Sequence, residues 1–208
     1  MNFIFIILTF LISAVIARIL IPRILLISLR KKLFDIPDDR KIHKRAIPRL
    51  GGVSFFPTTL FAFCLVYAFR LLDGDSISTL YASYLLPELL LFACGMTLLY
   101  LTGIADDLVG VRYGQKFAIQ IFCACLFPLS GLWINDLYGL FGIHELSAYV
   151  GIPFTVLTVV FITNAINLID GIDGLASGLS MVALSVFGTL AVIDDRWMSA
   201  LLAFTTVG

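Results

Sequence analysis

The segment "VLTVVFITNAINLIDGIDGL", residues 156–175, decides the fold class of this chain. Its first part, Val156–Ile162, is almost wholly apolar, and a second apolar run covers Leu179–Val192. Between the runs stand four polar side chains at three-residue spacing: Asn164, Asn167, Asp170 and Asp173. Because a bilayer offers no hydrogen-bond partners, this pattern predicts two membrane helices that meet at a polar surface.

The composition of the whole chain agrees with that interpretation. Of 208 residues, 60% are hydrophobic and 13% are charged, whereas a soluble domain carries about 25% charge. We therefore predict an all-α, polytopic transmembrane helix bundle that forms a single domain over residues 1–208. At about 20 apolar residues per span, six spans are predicted at 3–27, 51–71, 85–105, 117–134, 150–168 and 175–193, with a partial seventh from about residue 197.

The distribution of basic residues predicts the orientation in the membrane. Eight of the 14 Lys and Arg residues fall between residues 30 and 49, and the positive-inside rule places such a segment in the cytoplasm. The N-terminus is then outside, loops 72–84 and 135–149 are external, and loops 106–116 and 169–174 are cytoplasmic. The polar end of the opening segment and the basic loop are thus expected on one side of the membrane.

An acidic pair lies in one of the cytoplasmic loops. The stretch "LTGIADDLVGVRYGQK", residues 101–116, places Asp106 beside Asp107 at the end of an apolar run. Carboxylates at membrane depth usually mark a functional site, and Mg²⁺ binds one or two carboxylates together with substrate phosphates. The alternative is a solvated helix end without further function.

The polar residues of the opening segment form a stripe. On a helix, three-residue steps place Asn164, Asn167 and Asp170 within an arc of about 120°, and Gly171 then allows Asp173 to turn back. An Asp-Gly turn at a helix end is an ordinary alternative. It does not explain two amides inside a membrane segment, where each needs a partner.

A basic loop, "RKIHKRAIPRLGGVSFF" at residues 40–56, precedes the second span. Pro48 and the glycine pair interrupt any helix and permit a backbone nest for an anion. A phosphate site is one interpretation, with basic residues around the nest; a topology signal or lipid anchor is the other. The candidate substrate-binding residues of this loop are His43, Lys44, Arg49, Gly51 and Gly52.

Acidic, amide and basic groups on one surface suit chemistry between a water-soluble phosphorylated substrate and a membrane-bound one. At "KIHKRAIPRLGGV", "GIADDLVGVRYGQKFAIQ" and "NAINLIDGIDGLASG", in that order, the sequence resembles the polyprenyl-phosphate N-acetylhexosamine-1-phosphate transferase family. The resemblance implies transfer of a sugar 1-phosphate, most simply GlcNAc-1-phosphate, from a UDP-sugar to undecaprenyl phosphate. UMP is released, and synthesis of a cell-envelope polysaccharide begins.

The resemblance also implies roles for individual residues. Asp106, Asp107 and Asp173 would be catalytic, Asp170 and Asp107 would bind Mg²⁺ (or Mn²⁺), and Lys116, Asn164 and Asn167 would contact the nucleotide and phosphates. The implied partners are a UDP-N-acetylhexosamine, a polyprenyl phosphate and the lipid bilayer, with no nucleic acid and with a homodimer left open. The implied location is the plasma membrane, with the active site on its cytoplasmic side.

Two alternatives remain at this stage. The family's later half supplies a Gly-Asp-Ser/Thr-Gly-Ser motif and a histidine cluster, which this sequence does not contain. We therefore expect the chain to be the N-terminal part of a longer enzyme, and an inactive fragment is the first alternative. A cation-coupled transporter is the second, although its polar residues would be expected near mid-bilayer.

Overall fold

The computed structural model describes residues 2–31, 33–35, 47–48, 51–72, 76–170 and 174–208. Within those ranges the chain forms seven α-helices and one antiparallel pair of two-residue strands, β1 (Phe34–Asp35) and β2 (Ile47–Pro48). The helices are α1 (Asn2–Arg30), α2 (Phe55–Leu72), α3 (Ser76–Val109), α4 (Tyr113–Leu129), α5 (Ala148–Ile169), α6 (Leu175–Ile193) and α7 (Trp197–Val207).

Five of the helices in the described residues are long and apolar enough to cross a membrane. The candidate spans are Phe3–Arg30, Gly52–Leu72 (α2 with the turn that precedes it), Leu85–Val109, Ala148–Ile169 and Leu175–Ile193. Few side chains in these segments are buried, as expected of surfaces that face lipid. The prediction of an all-α, polytopic membrane protein is confirmed, and the short apolar α7 occupies the place of the partial seventh span.

The predicted fourth span, 117–134, differs from the helix that forms there. α4 has 17 residues, about 25 Å at 1.5 Å per residue, and it falls short of the five long apolar helices. It ends early because Gly131 adopts φ +91°. The N–H groups of Gly131 and Leu132 then bond back to Pro128 O at 3.0 Å and Phe127 O at 3.0 Å, a Schellman termination.

The prediction of a loop over 72–84 was wrong from Ser76 onward, because α3 begins there, whereas the external location of this segment stays a prediction. Lower hydropathy suggested a loop there, but hydropathy alone does not end a helix. The sequence has no glycine or proline between Ser76 and Leu86, so no residue there breaks the helix. α3 therefore extends over 34 residues.

The chain forms two compact units, which we describe separately. Residues 1–78 and 169–208 make up unit 1, and residues 79–168 make up unit 2. The single domain predicted over 1–208 stays a prediction.

Unit 1 packs α1 against α2 and α7, and many of its buried side chains are small or carry a hydroxyl group. Thr9 on α1 and Thr205 on α7 join through their Oγ1 atoms at 2.6 Å. Small residues allow helices to approach closely where no hydrophobic effect drives them together. The fully buried polar side chains of this interior include Thr9, Ser13, Ser28, Ser54 and Thr205.

Unit 2 is an antiparallel arrangement of α3, α4 and α5. Near one end, the ring centroids of Phe92 (α3) and Phe127 (α4) lie 6.2 Å apart, and Ile134 N donates to Thr155 Oγ1 (α5) at 2.9 Å. Toward the other end of unit 2, the first part of α4 contacts the last part of α3 and the last part of α5. The end of α3, the start of α4 and the last part of α5 therefore lie at the same end of unit 2.

Candidate active site

Asp106 shapes the turn from α3 into α4. Its backbone oxygen accepts the Gly110 N–H at 2.9 Å, and its Oδ1 accepts the Val111 N–H at 3.0 Å. Gly110 has φ +75°, a conformation that glycine adopts without strain. The first acid of the predicted pair thus supports the backbone on which the site is built.

Lys116, in the first turn of α4, donates from Nζ to the other carboxylate oxygen of Asp106. The two side chains are 34% and 33% exposed, so water still reaches this ion pair. An ammonium has three N–H donors, so Lys116 can bind a further anion while it holds Asp106. The structure therefore places together a lysine and an acid that the sequence predicted for one site, and Asp107 follows in the same helical turn.

The two asparagines of the stripe differ in their surroundings. Asn164 is half-buried and donates from Nδ2 to Gln120 Oε1 of α4 at 2.8 Å. The same nitrogen donates to Val160 O at 2.8 Å. The side chain of Asn167 is exposed and makes no hydrogen bond within the described residues. Within unit 2, one amide therefore faces α4 and the other remains available to a ligand.

Gln120 is a residue of this site that the sequence reasoning missed. It lies four residues after Lys116, so both belong to one face of α4. The available signal was an amide within the apolar stretch "FAIQIFCACLF". The two asparagines drew attention because an amide without a hydrogen-bond partner is costly inside a membrane, and the same argument applies to this glutamine.

Asp170 is exposed and directly follows the last residue of α5, but it belongs to unit 1. Asp173, the third predicted catalytic acid, lies outside the described residues. The described residues contain no group of three His, Cys, Asp or Glu side chains arranged to hold a metal. Mg²⁺ is bound through one or two carboxylates with substrate oxygens, so the oxygen-donor chemistry of Asp107 and Asp170 fits that ion.

Of the predicted basic loop, the structure describes the two borders. The short strands pair Phe34 with Pro48 and Asp35 with Ile47. Gly51–Ser54 form one 3₁₀ turn that leads into α2, and a Cβ added at Gly52 would meet open space. The two glycines thus begin the helical segment that continues into α2. The candidate residues His43, Lys44 and Arg49 lie outside the described residues.

A cleft lies between α3, α4 and α5 of unit 2. Its lining is largely apolar. Gln120 and Thr163 line the end of the cleft nearer to Lys116. Glu88, in the earlier part of α3, lines the opposite end.

These features define a polytopic helical membrane protein with acidic, basic and amide groups collected at one end of unit 2. The model of one family, glycosyl transferase family 4, matches residues 89–208, which include that whole site. The chain belongs to this family.

Several bacterial transferases are similar in sequence to this chain. A Bacillus subtilis protein, named a probable undecaprenyl-phosphate N-acetylglucosaminyl 1-phosphate transferase, is 30% identical over 92% of this chain and 49% of its own length. A Staphylococcus carnosus phospho-N-acetylmuramoyl-pentapeptide-transferase is 29% identical over 92% of this chain and 60% of its own. A Yersinia pestis undecaprenyl-phosphate alpha-N-acetylglucosaminyl 1-phosphate transferase is 28% identical over 87% and 46%. The chain spans about half the length of these relatives.

Proposed function

We propose that the protein transfers an N-acetylhexosamine 1-phosphate from a UDP-sugar to a polyprenyl phosphate and releases UMP. The observation that carries this proposal is the grouping of Asp106, Asp107 and Lys116 where α3 turns into α4. The named relatives transfer phosphosugars, two of them to undecaprenyl phosphate. This transfer would be the first step in the synthesis of a cell-envelope polysaccharide.

The bond changes follow from the substrates. An oxygen of the lipid phosphate attacks the β-phosphorus of the UDP-sugar, and the bond from that phosphorus to the bridging oxygen breaks. UMP leaves with the electron pair, and the sugar remains attached through a diphosphate to the lipid. An aspartyl intermediate on Asp107 would give the same products in two steps.

The residues of unit 2 supply positioning and electrostatic stabilisation, which dominate phosphoryl transfer. Lys116, held by Asp106, offers its remaining N–H donors to phosphate oxygens. Asp107 orients or deprotonates the lipid phosphate, and Asn167 hydrogen-bonds the nucleotide. A Mg²⁺ or Mn²⁺ ion held by Asp107 and Asp170 would neutralise the negative charge of the diphosphate. The proposed site is completed by Asp173 and by the loop residues His43, Lys44, Arg49, Gly51 and Gly52.

The sugar is most simply N-acetylglucosamine. The relatives from Bacillus subtilis and Yersinia pestis carry that sugar in their names, whereas the Staphylococcus carnosus relative is named for the transfer of phospho-N-acetylmuramoyl-pentapeptide. We place the protein in the plasma membrane with its active site on the cytoplasmic side, where UDP-sugars are available.

The test uses the complete gene product in nanodiscs, with UDP-N-acetylglucosamine and undecaprenyl phosphate, and measures UMP. Wild-type protein should release UMP only when both substrates are present. Asp107→Asn and Asp170→Asn should each lower kcat by about 100-fold or more, the scale of losing one electrostatic group in the transition state. Asp194→Asn, an exposed acid after α6, is the matched control. Wild-type turnover in Asp170→Asn would exclude Asp170 from the metal site.

A further inference from the structure

The amide of Asn164 has a fixed orientation. Its Nδ2 donates to Gln120 Oε1 and to Val160 O, each at 2.8 Å. A backbone carbonyl can only accept, so Val160 determines which atom of the Asn164 amide is the nitrogen. Both N–H donors of Asn164 are therefore used inside unit 2, and Gln120 must present its oxygen to Asn164.

This bond joins two helices close to the proposed site. Gln120 is one helical turn beyond Lys116, and Asn164 is one turn before Leu168, at the end of α5 within unit 2. A rotation of α5 about its axis would break the bond to Gln120. Asn167 follows Asn164 by three residues and is therefore displaced from it by about −60° around the helix axis. The same rotation of α5 would change the direction in which the Asn167 side chain points.

We propose that Gln120 is a positioning residue: by accepting a hydrogen bond from Asn164, it fixes the rotation of α5 and thereby the direction in which Asn167 meets the substrate. Asn164 is then part of the support for the site, and Asn167 is the amide that contacts the ligand. This inference rests on the proposed function.

The chemistry of the pair gives a specific set of variants. Gln120→Leu keeps a similar volume and removes the acceptor. Gln120→Glu keeps an acceptor in the same place but loses the NH₂ group. The exchange Gln120→Asn with Asn164→Gln keeps one long and one short amide across the same gap. Gln115→Leu makes the same chemical change at an exposed position of α4 and is the matched control.

Each variant of the complete gene product is assayed in nanodiscs for UMP release, and its thermal unfolding is followed separately. Misplacement of groups by about 1 Å can cost up to 100-fold in rate. We expect Gln120→Leu to lower kcat by about tenfold to 100-fold, with little change in the melting temperature. Gln120→Glu and the exchanged pair should each recover most of that loss, and Gln115→Leu should resemble the wild type.

Two results would overturn the inference while leaving the proposed function intact. One is wild-type kcat in Gln120→Leu. The other is equal loss in Gln120→Glu and Gln120→Leu, because it would mean that the NH₂ group of Gln120, and not its oxygen, is needed. An inactive wild-type protein would instead overturn the proposed function.

Discussion

The ammonium of Lys116 is held by the carboxylate of Asp106, ten residues earlier in the chain, across the turn between α3 and α4. The other oxygen of that carboxylate accepts the Val111 N–H at 3.0 Å. One acid thus fixes both the backbone of the turn and the position of the Lys116 ammonium.

Asp106→Asn should affect activity much more than stability. Exposed ion pairs contribute about 0.2–1 kcal/mol to folding, and this pair is about one-third exposed on each side. We expect the melting temperature to change little and UMP release to fall by about tenfold or more. Lys116→Met should give a similar loss, and the double variant should be no worse than the more affected single one. Additive losses would show that the two residues act independently.

The hydrogen bond between Thr9 and Thr205 should stabilise the packing of α1 against α7. Thr205 Oγ1 donates to Leu201 O at 2.5 Å, so the Thr9 hydroxyl is the donor to Thr205. Thr9→Val should lower the free energy of unfolding by about 0.6 kcal/mol and by no more than about 1.7 kcal/mol, the average and the maximum measured for hydrogen bonds between membrane helices. Unfolding in mixed detergent micelles measures the change.

Thr9→Ser keeps the hydroxyl and should retain most of that stability. Thr97→Val is the control, because within the described residues the Thr97 hydroxyl donates only to Ala93 O of its own helix, at 2.7 Å. An equal loss in Thr97→Val would contradict a special contribution from the bond between helices.

Gly188 allows α6 and α7 to approach closely. A Cβ placed there would lie 2.9 Å from the Phe204 ring and 3.2 Å from Ala203 Cβ. Gly188→Ala should therefore destabilise the protein by about 1–3 kcal/mol, the usual cost of overpacking. Gly178→Ala, on the same helix, meets open space and should gain up to about 1 kcal/mol of helix propensity. The melting temperature should therefore fall in Gly188→Ala and rise in Gly178→Ala.

The sidedness of α4 can be measured directly. Val109 and Tyr138 are 82% and 88% exposed and flank α4 in the chain. After replacement of the four native cysteines, Val109→Cys and Tyr138→Cys are treated in whole cells with a membrane-impermeant maleimide. We expect Tyr138→Cys to react from outside and Val109→Cys only after permeabilisation. Labelling of both from one side would mean that α4 does not cross the membrane, and the predicted orientation of α5 would be wrong.

Hydrophobic pattern predicted the helices well because it records which surfaces face lipid. It failed at α4, where termination depends on the conformation of Gly131, and at Ser76, where a less apolar stretch is still helical. The polar pattern drew attention to Asp106 and Asn164, and the family resemblance to Lys116, but neither pointed to the partner of Asn164. A hydrogen bond between residues 44 positions apart leaves no periodicity in the sequence, so Gln120 was found only in the structure.

The length of α3 sets the height of the acidic pair relative to the membrane. Its apolar portion, Leu85–Val109, has 25 residues, or about 37 Å, against a hydrocarbon core of about 30 Å. The surplus is little more than one turn, and Asp106 and Asp107 lie within the last turn. A helix of this length can carry its carboxylates to the level of the lipid headgroups, so a lipid phosphate need not leave its own layer to meet them.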